Sequence, residues 1–213
     1  MFILTLKSFR NRKFTTLLTI VSIALSVTLL LGVERIRKEA KVGFTHTISG
    51  TDLIVGARSG PVQLLLYSVF RIGNATNNIS WQSYQEIARH PAIKWTIPIS
   101  LGDSHKGYRV MGTDADYFTY FCYADQRRLT IFKGRIFQGV YDAVLGADVA
   151  RKLGYHLNDR ITLSHGAGKV SFIQHTDKPF KVVGILKKTG TPVDQTVHVC
   201  LEGIEAIHID WKE

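Results

Sequence analysis

The sequence predicts an α+β protein in two parts, one N-terminal transmembrane helix followed by a mixed α/β extracytoplasmic domain. Three observations predict it. Residues 14–33 carry no charge. The 180 residues after them alternate short strand-like and helix-like segments without the regular βαβ rhythm of a doubly wound sheet. Mean hydropathy over all 213 residues is only +0.05, so a strongly apolar stretch is being averaged with a polar remainder. Composition closes off other classes. Aromatic residues at 10% and charged residues at 21% suit a packed core and not a disordered chain. Two cysteines exclude a disulfide-dense scaffold and a four-cysteine zinc site.

The helix comes first. Phe14 to Val33 holds thirteen apolar residues, Gly32 and six Thr or Ser. At about 1.5 Å per residue these twenty residues span about 30 Å, the hydrocarbon thickness of a bilayer. A cleavable signal peptide has a shorter apolar core and a small-residue cleavage site, and Leu31-Gly32-Val33-Glu34 is a poor one. An uncleaved anchor is therefore expected. Lys7, Arg10, Arg12 and Lys13 precede it, while Arg35, Arg37, Lys38 and Lys41 follow, offset by Glu34 and Glu39. The Lys and Arg count ties. The short tail and its free amine favour a cytoplasmic N-terminus, giving a basic tail at 1–13, a span at 14–33 and an outer domain at 34–213. Thr15, Thr19, Ser22 and Ser26 form one stripe of small hydroxyl residues. Two readings are open for it, close packing against another transmembrane helix or hydroxyls satisfied by their own helix four residues back.

In the outer domain, Glu34 to Lys41 continues the helix into water. Thr51 to Val55 reads as a strand ending at Gly56. Pro61 to Phe70 is almost wholly apolar but too short to span a membrane. It is a buried strand or helix turn, or an outward surface in which Leu64, Leu65, Leu66, Val69 and Phe70 touch lipid or a partner. Ser80 caps a helix running towards His90, stopped by Pro91. Ile93–Leu101 and Tyr108–Met111 read as strands around a turn at Gly102-Asp103-Ser104. Asp116 to Tyr123 reads as a short aromatic helix, and Ala147 to Leu153 as a helix stopped by Gly154. Strands are expected at 160–165, 169–175, 180–186 and 196–201, with a last helical turn over 202–208.

The chemistry is sparse. His165-Gly166-Ala167-Gly168-Lys169 lacks the first glycine and the Ser/Thr of a phosphate loop and suits a hairpin turn. Gly56-Ala57-Arg58-Ser59-Gly60 has its serine one place off a nucleophile elbow. A zinc enzyme would need His198, Cys200, Glu205 and His208 to converge, although their spacing is no recognised ligand pattern. Cys122 and Cys200 are open to disulfide formation in an oxidising compartment. Asp52, Asp114 and Asp194 sit where a carboxylate bonds turn amides. The diffuse basic excess suits anionic headgroups, and an outer location argues against nucleic acid. No catalytic, metal or cofactor-binding residue is assigned on this reading.

Particular strings carry a family resemblance. Thr51-Asp52-Leu53-Ile54-Val55-Gly56-Ala57 with Gly60-Pro61-Val62-Gln63-Leu64 resembles the DLIVGAKGSPLQL signature of one branch of MacB/FtsX-type ABC transporter permeases, the group that includes the lipoprotein-releasing LolC and LolE. Val144-Leu145-Gly146-Ala147-Asp148-Val149-Ala150 with Leu153-Gly154 resembles that group's VLGADVAxxLG segment. Thr191-Pro192-Val193-Asp194 and Leu201 to His208 are similar to it again. Arg58-Ser59 departs from the branch's usual Lys-Gly. The resemblance implies a MacB-like periplasmic core domain in the bacterial inner membrane. It also implies a second permease copy, membrane lipid and a periplasmic partner around it, and a separate cytoplasmic ATPase that binds the ATP. Members continue through three further transmembrane helices. On this expectation 34–213 is an incomplete core domain, the chain is the first half of a permease, and it does not support transport alone. The alternatives are a membrane-anchored binding or adaptor domain, or a membrane-anchored metalloenzyme.

Overall fold

The computed structural model describes residues 12–74, 77–166 and 178–208. It divides into two units, meeting between Phe44 and Thr45. The first is formed by helix α1, Lys13–Thr47, which crosses that boundary. Its Lys13–Glu39 portion is long and apolar enough to cross a membrane. Large side chains there stand open, Phe14 at 78% and Leu30 at 70% exposure, as suits a helix whose solvent is hydrocarbon. The hydroxyls of Thr19, Ser26 and Thr28 donate to the carbonyls of Thr15, Ser22 and Ala24, each four residues back. Two of the four stripe hydroxyls, those of Thr19 and Ser26, are thus bonded within their own helix, an arrangement compatible with either reading of the stripe.

The second unit is built on one mixed sheet. Its strands are β1 Ser100–His105, β2 Tyr108–Thr113, β5 Ile131–Gly134, β6 Asp142–Leu145, β7 Arg160–Ile161, β8 Ser164–His165, β9 Phe180–Leu186 and β10 Thr196–Cys200. The spatial order is β5-β9-β6-β10-β2-β1-β8, with β7 also paired to β9. β2 runs parallel to β10, and β6 parallel to β9; the other pairs are antiparallel. A two-stranded ribbon, β3 Cys122–Tyr123 and β4 Arg127–Arg128, lies apart from it.

Both faces of the central strands are covered, so β6 and β10 are buried at every residue. Alternation sorts their side chains between two cores. Val197, Val199, Ala143, Leu145, Val110 and Val182 join Val149 of helix α5 (Ala147–Leu153) and Ile207 of helix α6 (Leu201–His208). Cys200, Val144, Met111 and Val183 face the opposite way, with Tyr117 of helix α4 (Asp116–Tyr120), Phe121 and Phe137. Helices α2, Pro61–Ser68, and α3, Trp81–Ala88, precede the sheet.

Local signals explain several elements. Pro61 opens α2 at a position where a missing N–H costs nothing. Ser80 caps α3, its hydroxyl accepting from the Ser83 amide. Gly154 ends α5 with φ +70°, a conformation that a β-carbon disfavours. Other expectations are corrected. Thr51–Val55 forms no strand. Gly102-Asp103-Ser104 lies inside β1, whose register slips between Leu101 and Ser104. The turn falls instead at Lys106-Gly107, where φ is +47° and +84°, positive at both central residues as a tight two-residue hairpin requires. Leu201 begins a helix and does not extend β10. The strand expected over 169–175 lies outside the described residues.

The turn before β10 is held by Asp194, 2% exposed. Its carboxylate accepts from the Thr189 amide at 2.8 Å, the Gly190 amide at 2.7 Å and the Thr189 hydroxyl at 2.9 Å. Asp194→Ala removes three hydrogen bonds to a buried carboxylate, and a loss of about 2 kcal/mol is expected, read as a lower urea midpoint. Asp194→Asn should lose less, because its amide oxygen still accepts.

Candidate functional site

The segment Thr51–Val55, helix α2 and residues 92–99 enclose a cavity of about 500 Å³. Its lining is mainly apolar, including Leu53, Ile54, Val55, Leu64, Ile93 and Ile97. The irregular 51–55 segment forms its wall. Gly56 packs against the end of Leu64, which any β-carbon at Gly56 would overlap. The Tyr67 hydroxyl donates to the Leu101 carbonyl, tying α2 to β1. Leu64 and Val69 line the cavity, whereas Leu65, Leu66 and Phe70 do not. Val69 is buried, Leu64, Leu65 and Phe70 are half-buried, and Leu66 is 39% exposed. The apolar stretch therefore presents one helical face to the cavity, with Leu66 on the outside.

Three charged side chains also line this cavity, and of these Asp52 and Lys94 are exposed while Arg71 is buried. Arg71 follows α2 with φ +62° and is 9% exposed. Its guanidinium reaches the Tyr117 hydroxyl at 3.4 Å and the Met111 sulfur, and its Nε has no partner. Among the described residues no carboxylate pairs with it. Burial lowers its pKa, against the opposing pull of Tyr117. Tyr117 is pushed up to about 12 by burial, with Arg71 pulling the other way. Its ring stacks on His198 at 5.4 Å. His198, fully buried, is pushed down to about 3 by burial and by the Arg71 charge, while its contact with the Val144 carbonyl opposes the shift. A buried cation that no described carboxylate pairs with, beside a mainly apolar cavity, is an arrangement that attracts a carboxylate or phosphate carried on an apolar body.

The sheet's other polar cluster lies where β1, β8 and α6 meet. Asp103 Oδ1 is 2.9 Å from His165 Nδ1, which is 3.3 Å from His208 Nε2. The grouping His198, Cys200, Glu205 and His208 does not form. His198 lies on Tyr117, the Cys200 thiol donates to the carbonyls of Gly139 and Val140, and His208 joins Asp103 and His165. Cys122 and Cys200 are both thiols, not a disulfide.

Residues 16–206 match the family described as MacB-like periplasmic core domain. The chain belongs to this family. No curated protein matches it. Among solved structures, this MacB-like core domain is similar to the extracellular domain of the ABC-type transporter YknZ from Gram-positive bacteria, with TM-score 0.40 and 14% identity, covering 60% of this chain and 65% of that one. It is also similar to the periplasmic region of MacB from Actinobacillus actinomycetemcomitans, with TM-score 0.40 and 13% identity, covering 60% and 57%. The chain spans less than two thirds of either structure. The resemblance to MacB/FtsX-type permeases read from the sequence is borne out, as is the mixed α/β domain after one apolar helix. The family and that helix together mark a membrane-anchored protein.

Arg71 escaped the sequence reading of this MacB-like domain. Its one signal was a lone charge closing the run Pro61 to Phe70. Asp114 and Asp194 do bond turn amides, as their positions suggested.

Proposed function

We propose that the chain is the anchoring and periplasmic part of a permease in an ABC transporter of the MacB/FtsX type. It sits in the bacterial inner membrane with its N-terminus in the cytoplasm. It pairs with a second permease copy and with a separate cytoplasmic ATPase. Hydrolysis there moves the transmembrane helices and works the periplasmic domain on lipoprotein, peptide or other cargo. The observation that carries this reading is the family match over 16–206, which begins within the apolar helix. Thr15, Thr19, Ser22 and Ser26 serve on this proposal as a flat packing face for a neighbouring helix. The groove beside α2, with Leu64 and Val69 inside and Leu66 outside, is the proposed contact for an apolar segment of cargo or a periplasmic partner.

Gentle detergent purification of the tagged protein from its own host's membranes, followed by mass spectrometry, tests the reading. An ABC ATPase is expected among the recovered proteins, with ATP hydrolysis in the eluate. Recovery without any nucleotide-binding subunit would favour the second reading, a membrane-anchored binding or adaptor domain. The groove over Arg71 supports that second reading equally well, because it needs no ATPase.

A further inference from the structure

We infer that Asp103, His165 and His208 form a binding site for a zinc-like divalent transition-metal cation. The three ligand atoms, one carboxylate oxygen and two imidazole nitrogens, lie within 4.8 Å of one another. They come from three elements. Asp103 and His165 are paired across β1 and β8, and His208 is the last residue of α6. The inference does not depend on the transport reading, since it rests on these side chains alone.

The geometry favours a metal over a purely protonic cluster. The His208 Nδ1 sits 2.5 Å from the Ile204 carbonyl, which only accepts, so Nδ1 carries the proton. That leaves Nε2 as a lone pair directed at His165. A carbonyl bond to the far nitrogen is the usual way a ligating imidazole is oriented and its tautomer fixed. The His165 Nδ1 faces two acceptors at once, Asp103 Oδ1 at 2.9 Å and His208 Nε2 at 3.3 Å. The two contacts converge on one nitrogen, as ligand atoms around a shared centre do. A cation at the centre of the three atoms would be ligated by all of them at once. Zinc–nitrogen bonds of about 2.0–2.1 Å at a tetrahedral angle place two imidazole nitrogens about 3.3 Å apart, which is the separation found here. Asp103 is 4% exposed, so its carboxylate also gains from a neighbouring cation in place of water. Two nitrogens and one oxygen suit zinc and its neighbours better than calcium or magnesium. A three-ligand set leaves a fourth position for water, the pattern of an open site and not a closed structural one. Bound metal would tie the end of α6 to the β1–β8 edge of the sheet.

The test uses the full chain in detergent, without a histidine tag, stripped with a chelator and titrated with zinc sulfate against a chromophoric competitor. One zinc per chain is expected. His165→Ala and His208→Ala should each weaken binding by at least about 100-fold, since loss of a ligand should exceed the 10–100-fold typical of second-shell losses. Asp103→Asn keeps the side chain's shape and hydrogen bonding, and should weaken binding while leaving the circular dichroism spectrum unchanged. Zinc should raise the melting temperature of the parent protein and not that of the three variants. His90→Ala and His156→Ala, at exposed histidines elsewhere, should bind as the parent does. Cobalt(II) in place of zinc should give the intense visible bands of a tetrahedral site, lost in His165→Ala. Absence of stoichiometric zinc, or binding that survives in the folded Asp103→Asn and His165→Ala proteins, would overturn the inference.

Discussion

Gly184→Ala is expected to unfold the sheet domain or bring it to the edge of unfolding. Gly184 lies in β9, between β5 and β6. A β-carbon there would overlap the Arg135 carbonyl oxygen and lie 3.1 Å from that carbonyl's carbon. The Val144 side chain would stand 3.4 Å away on another side. Backbone cannot swing aside as a leucine tip can, so relief requires β5 or β6 to shift from β9. Overpacking of this kind costs about 3 kcal/mol or more, a large share of the 5–15 kcal/mol that holds an ordinary domain together. Gly102→Ala, in β1, is the matched control, because a β-carbon there meets nothing within 4 Å. Guanidinium unfolding of both variants in detergent, followed by fluorescence of the three tryptophans, checks the expectation. Equal midpoints would show that the two strands can part without cost.

Acid should unmask opposed titrations, with His105, whose pKa burial lowers, acting in the same direction as His198 and against Asp114. His198 has its pKa pushed from 6.5 to about 3, chiefly by burial. As pH falls below 6.5 the unfolded chain takes up a proton that the folded chain refuses, so stability present at pH 7 is lost progressively down to about pH 3. The slope is at most about 1.4 kcal/mol per pH unit. Asp114 works the other way. Burial first, then the charge of Asp116, raises its pKa from 3.8 to about 6. Between pH 6 and 3.8 the folded state binds the proton earlier, so stability rises as pH falls. Its half-buried carboxyl is partly screened by solvent, so this gain is the smaller of the two. The parent protein should therefore show a shallow dependence between pH 6 and 4.5. Asp114→Asn should lose roughly 2 kcal/mol over that interval. His198→Phe should instead gain stability towards acid.

Asp142 and Asp148 do not confuse this window. Burial opposes ionisation at both. It is outweighed at Asp142 by the amides of Gln138 and Gly139 and by Arg135, and at Asp148 by Arg151 and Lys188. Their pKa values fall below the usual carboxylate range, so their contribution is lost only at lower pH. Urea midpoints measured across pH for the parent and two variants decide the matter, and three parallel curves would contradict it.

How much was legible follows from the range of each signal. Ser80, Gly154 and the apolar run Phe180–Leu186 announce themselves within a few residues, and the structure places their elements where the sequence did. The Thr51–Val55 segment has the composition of a strand but lines a groove, because strand character is completed by a neighbour and composition names none. The slip inside β1 was invisible for the same reason, as it exists only in relation to β2. The cluster of Asp103, His165 and His208 draws on positions 62 and 43 residues apart. No spacing rule reaches across such intervals, and only strand register joins them. Arg71 was hidden differently. Its charge was in plain view, but its burial depends on Met111 and Tyr117, roughly forty residues onward.

The position of β10 has a consequence for biogenesis. It is the last of the described strands, yet it lies between β6 and β2 at the middle of the sheet. On one side stand β5, β9 and β6, on the other β2, β1 and β8, and β10 is the strand that joins them. Between the end of its parallel partner β2 and its own start lie 82 residues. During synthesis the two half-sheets must wait with their inner edges open until residue 200 arrives. Pairing at such sequence distance is slow, and open apolar edges invite misassembly. The nascent domain is therefore expected to depend on chaperones while it emerges, and a pulse of protease during synthesis should cut it until β10 has been added.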